Sequence, residues 1–482
     1  MGLVGGPPGR EGPVTAGSAG IRVPQASASD VIDQLPLSPR YGLVLVLLTL
    51  ITVFDYFDLS VIGFLGAIIA RQNHFNYGQL SVVIVAAGVG AIVGALMAGE
   101  LSDQFGRRPI LVLGTTLCGF SSLGLLAVPN GAWIALAVLR FFVGVGIATA
   151  AGPAMTLAVE YTPRQRRFLL SSFPVIGATG GALVATATVA GLIETLGWRG
   201  VCALGFVPAV LGVVFLFLAP ESALWLAARG RYQEARHAIA RMQGIVASRV
   251  ALPGASQLGD SERVPFTALF REPRRAWLTI LLWGGTLTGN SGVYLWGPTL
   301  VALALGASTS ATARIFTMIA VAGIVGKIAF SLLSRFIGRR RTNEIGCFGG
   351  GIALCAAGVL HQEMVGGMPV LVVLMVLGAF FFDGVVANLA PYTVEIYPTK
   401  LAARGYSLGQ AANGGAKLFA PLALALLAGV GLQVTASATA ASLVPSFIFM
   451  GGCVLLSGVG SLLIPVEPPQ PLDVPDDRGG SG

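Results

Sequence analysis

The chain has 482 residues, of which 54% are hydrophobic and only 11% charged, and its mean hydropathy is +0.79. Soluble globular domains carry about 25% charged residues, so this composition excludes that class and indicates a membrane protein. The net charge of +8 does not indicate a nucleic-acid partner, because the basic residues are spread over alternate loops and form no single patch.

Residues 1–40 are rich in Gly, Pro and Ser and hold no apolar run of signal-peptide length, so a disordered cytoplasmic tail is expected. Apolar runs of about 18 or more residues then recur, enough for about twelve membrane-crossing helices. The first six are expected at Tyr41–Ala70, Leu80–Leu101, Ile110–Val128, Trp133–Val159, Leu169–Ile193 and Val201–Leu218, an N-terminal bundle over residues 41–219. Residues 220–275, opening with PESALWLAARGRYQEARHAIARMQG, are too charged for hydrocarbon and read as a cytoplasmic loop with short amphipathic helices. A second bundle, residues 276–465, is expected from Trp277–Leu305, Thr312–Leu333, Glu344–Leu360, Val370–Tyr392, Gly405–Gly431 and Ser442–Ile464, followed by a second disordered tail, 466–482. Ten-residue alternating strands are absent, which argues against a β-barrel. The fold class is therefore all-α and integral to the membrane, with two six-helix bundles.

Basic residues fill every second connection: Arg107 and Arg108, then Arg164, Arg166 and Arg167, then the stretch from Arg229 to Arg275, then Arg335 to Arg341, then Lys400 and Arg404. The intervening loops hold little beyond Arg71, Arg199 and Arg314. The positive-inside rule makes the Arg-rich loops and both termini cytoplasmic, in what is expected to be a bacterial inner membrane. Cys118, Cys202, Cys347, Cys355 and Cys453 lie in apolar stretches without metal-ligand spacing and read as unpaired, buried thiols.

The chain also repeats itself. GELSDQFGRRP (Gly99–Pro109) joins the second and third spans, and SLLSRFIGRRR (Ser331–Arg341) joins the eighth and ninth, about 230 residues later. VEYTPRQRR closes the fourth span and VEIYPTKLAAR the tenth, at nearly the same offset. Two independent pairs at one offset imply a six-plus-six duplication, a signature of transporters.

These motifs, with LRFFVGVG (Leu139–Gly146) in the fourth span and PESALWL (Pro220–Leu226), resemble the major facilitator superfamily over nearly all of Tyr41–Ile464. The resemblance implies a secondary active transporter working by alternating access. It marks as gating residues Gly99, Asp103, Gly106, Arg107, Arg108, Glu160 and Arg167 in the first half and Arg339, Arg340, Glu395 and Arg404 in the second. Physically, Asp103 can pair with Arg or face a helix N-terminus, while Arg107 and Arg108 meet carboxylates or helix C-termini. Contacts made only when the cytoplasmic side is closed would form a latch. The plainer alternative is a topogenic signal that happens to include an Asp. In the second copy Arg335 stands where the first has Asp, so the two copies do not imply equal gating roles.

Intramembrane charges carry the functional expectation. An Asp at the centre of a lipid-embedded helix costs about 2.5 to 3.5 kcal/mol on insertion scales, so Asp55 and Asp58 should face the bundle interior. At i, i+3 they share a helical face, and two poorly solvated neighbouring carboxylates would resist holding two negative charges, which suits proton coupling. Pairing with an Arg to fix packing is the alternative. Arg140 in LRFFVGVG resembles the arginine that the superfamily associates with proton coupling. In the second half Lys327 and Asp383 could simply neutralise one another. Asp383 with Asn290, Tyr294, Trp296, Asn388 and Lys417 makes the expected substrate-binding set. Related organic-anion carriers place a cation in the eleventh span, and Lys417 lies about one turn from that aligned position. Aromatic residues at such spacing also serve as packing, and Trp296 could mark the membrane interface. Gly88, Gly90 and Gly94, and Gly177, Gly180 and Gly181, allow close helix approach.

An enzyme is disfavoured, because His74, His237 and His361 lie in loops or at span ends and form no cluster. No GxxxxGK[ST] loop occurs, which disfavours ATP-driven transport in this chain. No cofactor or metal is expected. The partners are protons, a small-molecule substrate and the bilayer, with the chain a monomer. One proton moving down about 150 mV releases roughly 3.4 kcal/mol, enough for a few-hundredfold accumulation of a neutral solute. FDYFDLSVIGF resembles the D-G-F/Y-D motif of aromatic-acid and other metabolite:proton symporters, with Tyr56 in place of the glycine. Sugar porters usually carry paired glutamines where this chain has Gly284 and Gly285. A small organic acid is therefore the expected substrate, with a sugar or polyol second and proton-antiport drug efflux third.

Overall fold

The structure is a computed structural model that describes residues 38–162, 172–244, 266–271, 273–397 and 399–464. Both expected tails beyond these limits, most of the central loop, and Arg164, Arg166 and Arg167 lie outside the described residues. Each of the twelve expected spans falls, in its described residues, on helical segments. The first half contains α1 (Pro39–Asn73), α2 (Tyr77–Phe105), α3 (Arg107–Gly124), α4 (Trp133–Glu160), α5 (Ser172–Ala203) and α6 (Val207–Leu218). Gly197, at φ 62°, breaks α5 between the fifth and sixth spans. Two short helices, α7 (Ala223–Ala228) and α8 (Tyr232–Gln243), follow. The second half contains α9 (Pro273–Ser291), a π turn (Gly292–Trp296), α10 (Gly297–Ala304), α11 (Thr309–Ile337), α12 (Arg339–Val359), α13 (Val370–Ile396), α14 (Thr399–Ala428) and α15 (Ala436–Leu463). A two-residue hairpin, Met364–Val365 with Met368–Pro369, joins α12 to α13.

Local chemistry sets the helix ends. Ser38 caps α1 by accepting from the Tyr41 N–H at 3.1 Å, with Pro39 in the first turn where its missing N–H costs nothing. Asn76 and Gln79 form a reciprocal capping box at the start of α2. Gly106, at φ 107°, lets α2 end and α3 begin within one residue, and Gly338, at φ 82°, does the same between α11 and α12. The duplicated loops thus turn the chain in the same way.

The packing repeats as well. α1 packs on α5, α2 on α4, and α3 on both α4 and α6; α9 on α14, α11 on α13, and α12 on both α13 and α15 are the matching pairs. Small residues make this possible. A Cβ at Gly144 would lie 2.8 Å from the Ala87 Cα, so α2 and α4 meet backbone to backbone, and Gly326 meets the Phe380 backbone in the second half. Outward faces carry exposed apolar side chains such as Phe217 and Leu426, as a lipid-facing surface requires.

The halves join at the end away from the Gly99–Pro109 loop, called here the far end. Tyr77 stacks on Trp296 at 5.8 Å and its hydroxyl meets Thr439 at 2.5 Å. The Tyr77 and Gly78 N–H groups donate to the Leu432 and Val430 carbonyls at 3.0 and 2.9 Å. The Ser81 hydroxyl donates to the Pro421 carbonyl, and Phe64 packs edge-on against Phe316. At the other, near end, Leu96 and Phe336 are among the most exposed apolar side chains of the described residues.

Backbone-to-backbone contact cannot yield to an added methyl, so Gly144→Ala should cost about 1–3 kcal/mol through overpacking. Gly99, with open space around its Cβ position, should tolerate alanine and gain up to about 1 kcal/mol from helix propensity. Thermal unfolding in one detergent checks both. Equal shifts for the two variants would contradict the packing described.

Candidate functional site

Two polar centres lie inside the halves, one in each. In the first half Asp58 is fully buried on α1, and its Oδ2 pairs with Arg140 Nη1 of α4 at 2.8 Å. The same nitrogen reaches the Asp58 carbonyl at 3.3 Å, and the Ser122 hydroxyl donates to Asp58 Oδ1 at 3.1 Å. A Cβ at Gly205 would lie 2.6 Å from Asp58 Oδ1, so the absence of a side chain there leaves room for the carboxylate. Arg140 Nε and Nη2 have no hydrogen-bond partner among the described residues.

Asp55 lies one turn back on α1 and is also buried, yet its Oδ1 has no hydrogen-bond partner among the described residues. The two acids therefore differ in kind. One is tied to a guanidinium; the other lacks any such tie. Between them in sequence, Tyr56 is 38% exposed, and Lys417 Nζ of α14 lies 5.9 Å from its ring centroid. Lys417 has no carboxylate within ion-pair distance among the described residues. An acid and a base without protein counter-charges thus lie in opposite halves, one on α1 and one on α14.

Lys417 ends a polar stripe that sequence reasoning missed. Tyr406, Gln410 and Asn413 precede it at helical spacing, with Gln410 Nε2 donating to Tyr406 at 2.7 Å and Asn413 Nδ2 to Gln410 Oε1 at 3.2 Å. Exposure falls along the stripe, from exposed at Tyr406 and Gln410 to half-buried at Asn413 and Lys417. A row of amides facing lipid would be costly, so this face lines a cleft that is open at the near end. The alternation of Ser, Gln, Asn and Lys in the weakly apolar YSLGQAANGGAK was the available signal.

In the second half Asp383 of α13 is buried and saturated. Lys327 Nζ of α11 and Asn290 Nδ2 of α9 both reach Oδ1 at 3.2 Å, and the Tyr294 hydroxyl donates to Oδ2 at 2.6 Å. The structure therefore brings together Asn290, Tyr294 and Asp383, and adds Lys327. It does not bring in the others. Trp296 is fully buried against Tyr77, between the halves, and Asn388 donates to the Phe330 carbonyl at 3.4 Å.

The near-end loop is held within the first half. Asp103 pairs with Arg107 at 3.1 Å, and its carbonyl accepts from Trp225 Nε1 at 2.8 Å and Arg229 Nη2 at 2.6 Å. The Arg107 and Arg108 N–H groups donate to Glu221 Oε1 at 3.0 and 3.2 Å, so Glu221 caps α3 from across the bundle. Glu160 accepts from Ser222, and the Tyr161 hydroxyl donates to the Glu221 carbonyl at 2.5 Å. Glu221 went unassigned from sequence, although a carboxylate just after a span, with Gly-Arg-Arg opening another helix, was the clue. In the second half Arg339 pairs with Glu395 at 2.6 Å and Arg340 with Glu344 at 2.9 Å; Arg404 lies near the start of α14. Gly99 has no neighbour near its Cβ position, and Arg167 lies outside the described residues. These contacts join the loop to itself and to the segment that follows the sixth span. The expectation was of a latch made only when its side of the protein is closed, whereas here the contacts form with the near end open.

Among the described residues no group of three His, Cys, Asp or Glu side chains could hold a metal ion.

The chain is 31% identical over 386 residues to the gallate transporter of Pseudomonas putida, covering 78% of this chain and 83% of that protein. It is 30% identical over 385 residues to the 4-hydroxybenzoate transporter PcaK of Pseudomonas aeruginosa, covering 78% and 84%. Its fold matches the partially occluded inward open xylose transporter XylE from E. coli with a TM-score of 0.66 at 17% identity, over 88% of this chain and 97% of that one. Residues 48–421 match the Major Facilitator Superfamily pattern. With two duplicated six-helix halves, polar centres buried in each and transporters as its relatives, the chain belongs to the Major Facilitator Superfamily and is a secondary transporter, not an enzyme.

Proposed function

We propose that this transporter moves a small aromatic carboxylate together with protons, and that Asp55 carries the proton while Lys417 holds the anion. The observation that carries this reading is a charge left without a protein counter-charge in each half: Asp55 on α1 without a hydrogen-bond donor at Oδ1, and Lys417 on α14, beside the Tyr56 ring, without a carboxylate. Unneutralised charge at membrane depth is costly, so each group gains most from a mobile partner. A proton neutralises Asp55, and a substrate carboxylate neutralises Lys417. Only the doubly loaded carrier has no uncompensated charge at these two positions, which favours its passage through the occluded state. The relatives named for gallate and 4-hydroxybenzoate support an arene acid, and Tyr56 offers it an aromatic face beside the cation.

Asp58 and Arg140 serve this chemistry from beneath. The pair fixes α1 against α4, and a proton on Asp55 removes the like charge one turn from the Asp58 carboxylate. Asp103, Arg107, Arg108, Glu160 and Glu221 hold the near-end loop to the first half while the cleft is open there. By the positive-inside rule that end is cytoplasmic in a bacterial inner membrane, with the chain acting as a monomer.

Energetics then set the stoichiometry question. A monoanion carried with one proton moves no net charge, so only the pH gradient drives it, at about 1.4 kcal/mol and tenfold accumulation per pH unit. Uptake should therefore rise as the outside is acidified relative to the inside.

Three outcomes are expected. In proteoliposomes with an inward pH gradient, Asp55→Asn should abolish accumulation of 4-hydroxybenzoate while retaining exchange of internal for external substrate. Accumulation at the parent level would remove Asp55 from coupling. Lys417→Gln should raise KM about 10- to 100-fold, the worth of a charge-assisted hydrogen bond, with Lys417→Arg intermediate. A KM unchanged by Lys417→Gln would place the anion elsewhere. Finally, Asp58→Asn strands the buried Arg140 and should cost about 3–5 kcal/mol of stability, well beyond Asp55→Asn. Thermal unfolding of the two variants side by side decides this, and equal losses would contradict the asymmetry between the acids.

A further inference from the structure

The seventh span is the only one in which the described residues contain a π turn, and that turn sits where the two halves meet. The Gly297 N–H reaches back five residues to the Gly292 carbonyl, so one extra residue is carried in the turn. Its consequence is an outward set of backbone carbonyls. A Cβ at Gly63 of α1 would lie 2.6 Å from the Tyr294 carbonyl and 2.9 Å from that of Leu295. Trp296 then stacks on Tyr77 of α2, and the Thr299 hydroxyl donates to the Gly63 carbonyl at 3.2 Å. Within residues 294–299, therefore, one short segment of the second half meets both α1 and α2 of the first.

The other face of this segment packs on the second half, where Gly297 meets Phe316 and the Tyr294 ring meets Phe382, and one side-chain hydrogen bond among the described residues fixes it there. Tyr294 turns its ring into the second half, and its hydroxyl meets Asp383 Oδ2. Space for that bond exists because position 323 is glycine: a Cβ there would lie 3.2 Å from the Tyr294 hydroxyl and 3.0 Å from Asp383 Cγ. Lys327 and Asn290 occupy the remaining oxygen. With three donors on its two oxygens and an ammonium as counter-charge, the Asp383 carboxylate has its hydrogen-bonding needs met by protein groups. The donors of this cluster are thus engaged by the chain's own acid, in contrast to Lys417.

We propose that Asp383 is a positioning residue for transport: with Lys327 as its counter-cation it holds Tyr294, and through Tyr294 the π turn that seals the far end. The cleft binds the substrate at Lys417, and the Asp383 centre sets how firmly the opposite gate is shut. Loss of the Tyr294 bond loosens the segment 294–299 on its own half and weakens its fit against Gly63 and Tyr77. This assignment rests on the transport reading only in its kinetic arm.

The test places spin labels at Pro129→Cys and Val365→Cys, two exposed far-end positions on opposite halves, in the full chain in lipid nanodiscs. Cys355→Ala and Cys453→Ala remove the two partly exposed native thiols. Tyr294→Phe deletes only the hydroxyl and keeps the Lys327–Asp383 pair, so it guards against a folding defect that Asp383→Asn could bring by stranding Lys327. Each variant should raise the population with widely separated labels at least threefold, and the double variant should go no further than Asp383→Asn alone. In uptake of 4-hydroxybenzoate, Tyr294→Phe should change the maximal rate with KM within about twofold. A parental distance distribution in Tyr294→Phe would overturn the proposal. So would a KM raised more than tenfold, which would make Tyr294 a direct ligand of the substrate. The distance measurement needs neither substrate nor gradient, so its failure is separable from failure of proton symport.

Discussion

A charge in hydrocarbon must be neutralised or hydrated, and this single constraint organises the interior of the protein. Asp58 and Arg140 meet it by pairing with each other, and so do Asp383 and Lys327. Asp55 and Lys417 do not, among the described residues, and they lie in opposite halves, with Lys417 beside the ring of Tyr56, the residue next to Asp55. Buried pairs of the first kind contribute little net stability over apolar packing, because desolvation offsets attraction, but breaking one is expensive. They are well suited to fixing geometry. Groups of the second kind are poorly suited to that and well suited to exchange.

Alternating access also needs two bodies that stay rigid while the contact between them changes. Glycines at 90, 94 and 144 in the first half and at 326 in the second bring backbones together inside each half, where a shift would meet hard carbonyl groups. The junction between halves is built otherwise, from the Tyr77–Trp296 and Phe64–Phe316 aromatic pairs, hydrogen bonds at Thr299, Ser81, Tyr77 and Gly78, and close approach at Gly63, Gly66 and Gly78. Contacts inside a half are therefore continuous along the helices. Those between halves, chiefly α5 on α11 and α2 on α14, are less extensive.

Much of this was legible in the sequence, for physical reasons. Hydropathy over about twenty residues fixes where helices cross, and all of the expected spans meet helices within a few residues of their ends. The offset of the GRR loops identified the duplication that the packing pairs repeat. Insertion cost singled out Asp55, Asp58, Arg140, Lys327, Asp383 and Lys417 before any geometry was known, and it allowed Lys327 and Asp383 to be paired. What could not be read was direction. The i, i+3 spacing puts Asp55 and Asp58 on one face, yet it says nothing about which of them meets Arg140. Trp296 and Asn388 have the composition of cleft residues but face helix contacts. The π turn has no propensity signature, since it arises from the fit of α9 against its neighbours. Glu221 caps a helix more than a hundred residues away in sequence, a relation that local pattern cannot show.

The central claim is that proton and anion bind as a unit, through Asp55 and Lys417. Thermodynamic linkage makes this measurable without a membrane, because a ligand that favours a protonated carrier must draw protons from solution when it binds. The direct measurement is the pH change on adding 4-hydroxybenzoate to purified protein in weak buffer, from about pH 6 to about pH 8.5. The account predicts proton uptake approaching one per chain in some part of that range, and none in Asp55→Asn. Binding with no proton exchanged at any pH, or uptake undiminished in Asp55→Asn, would contradict it.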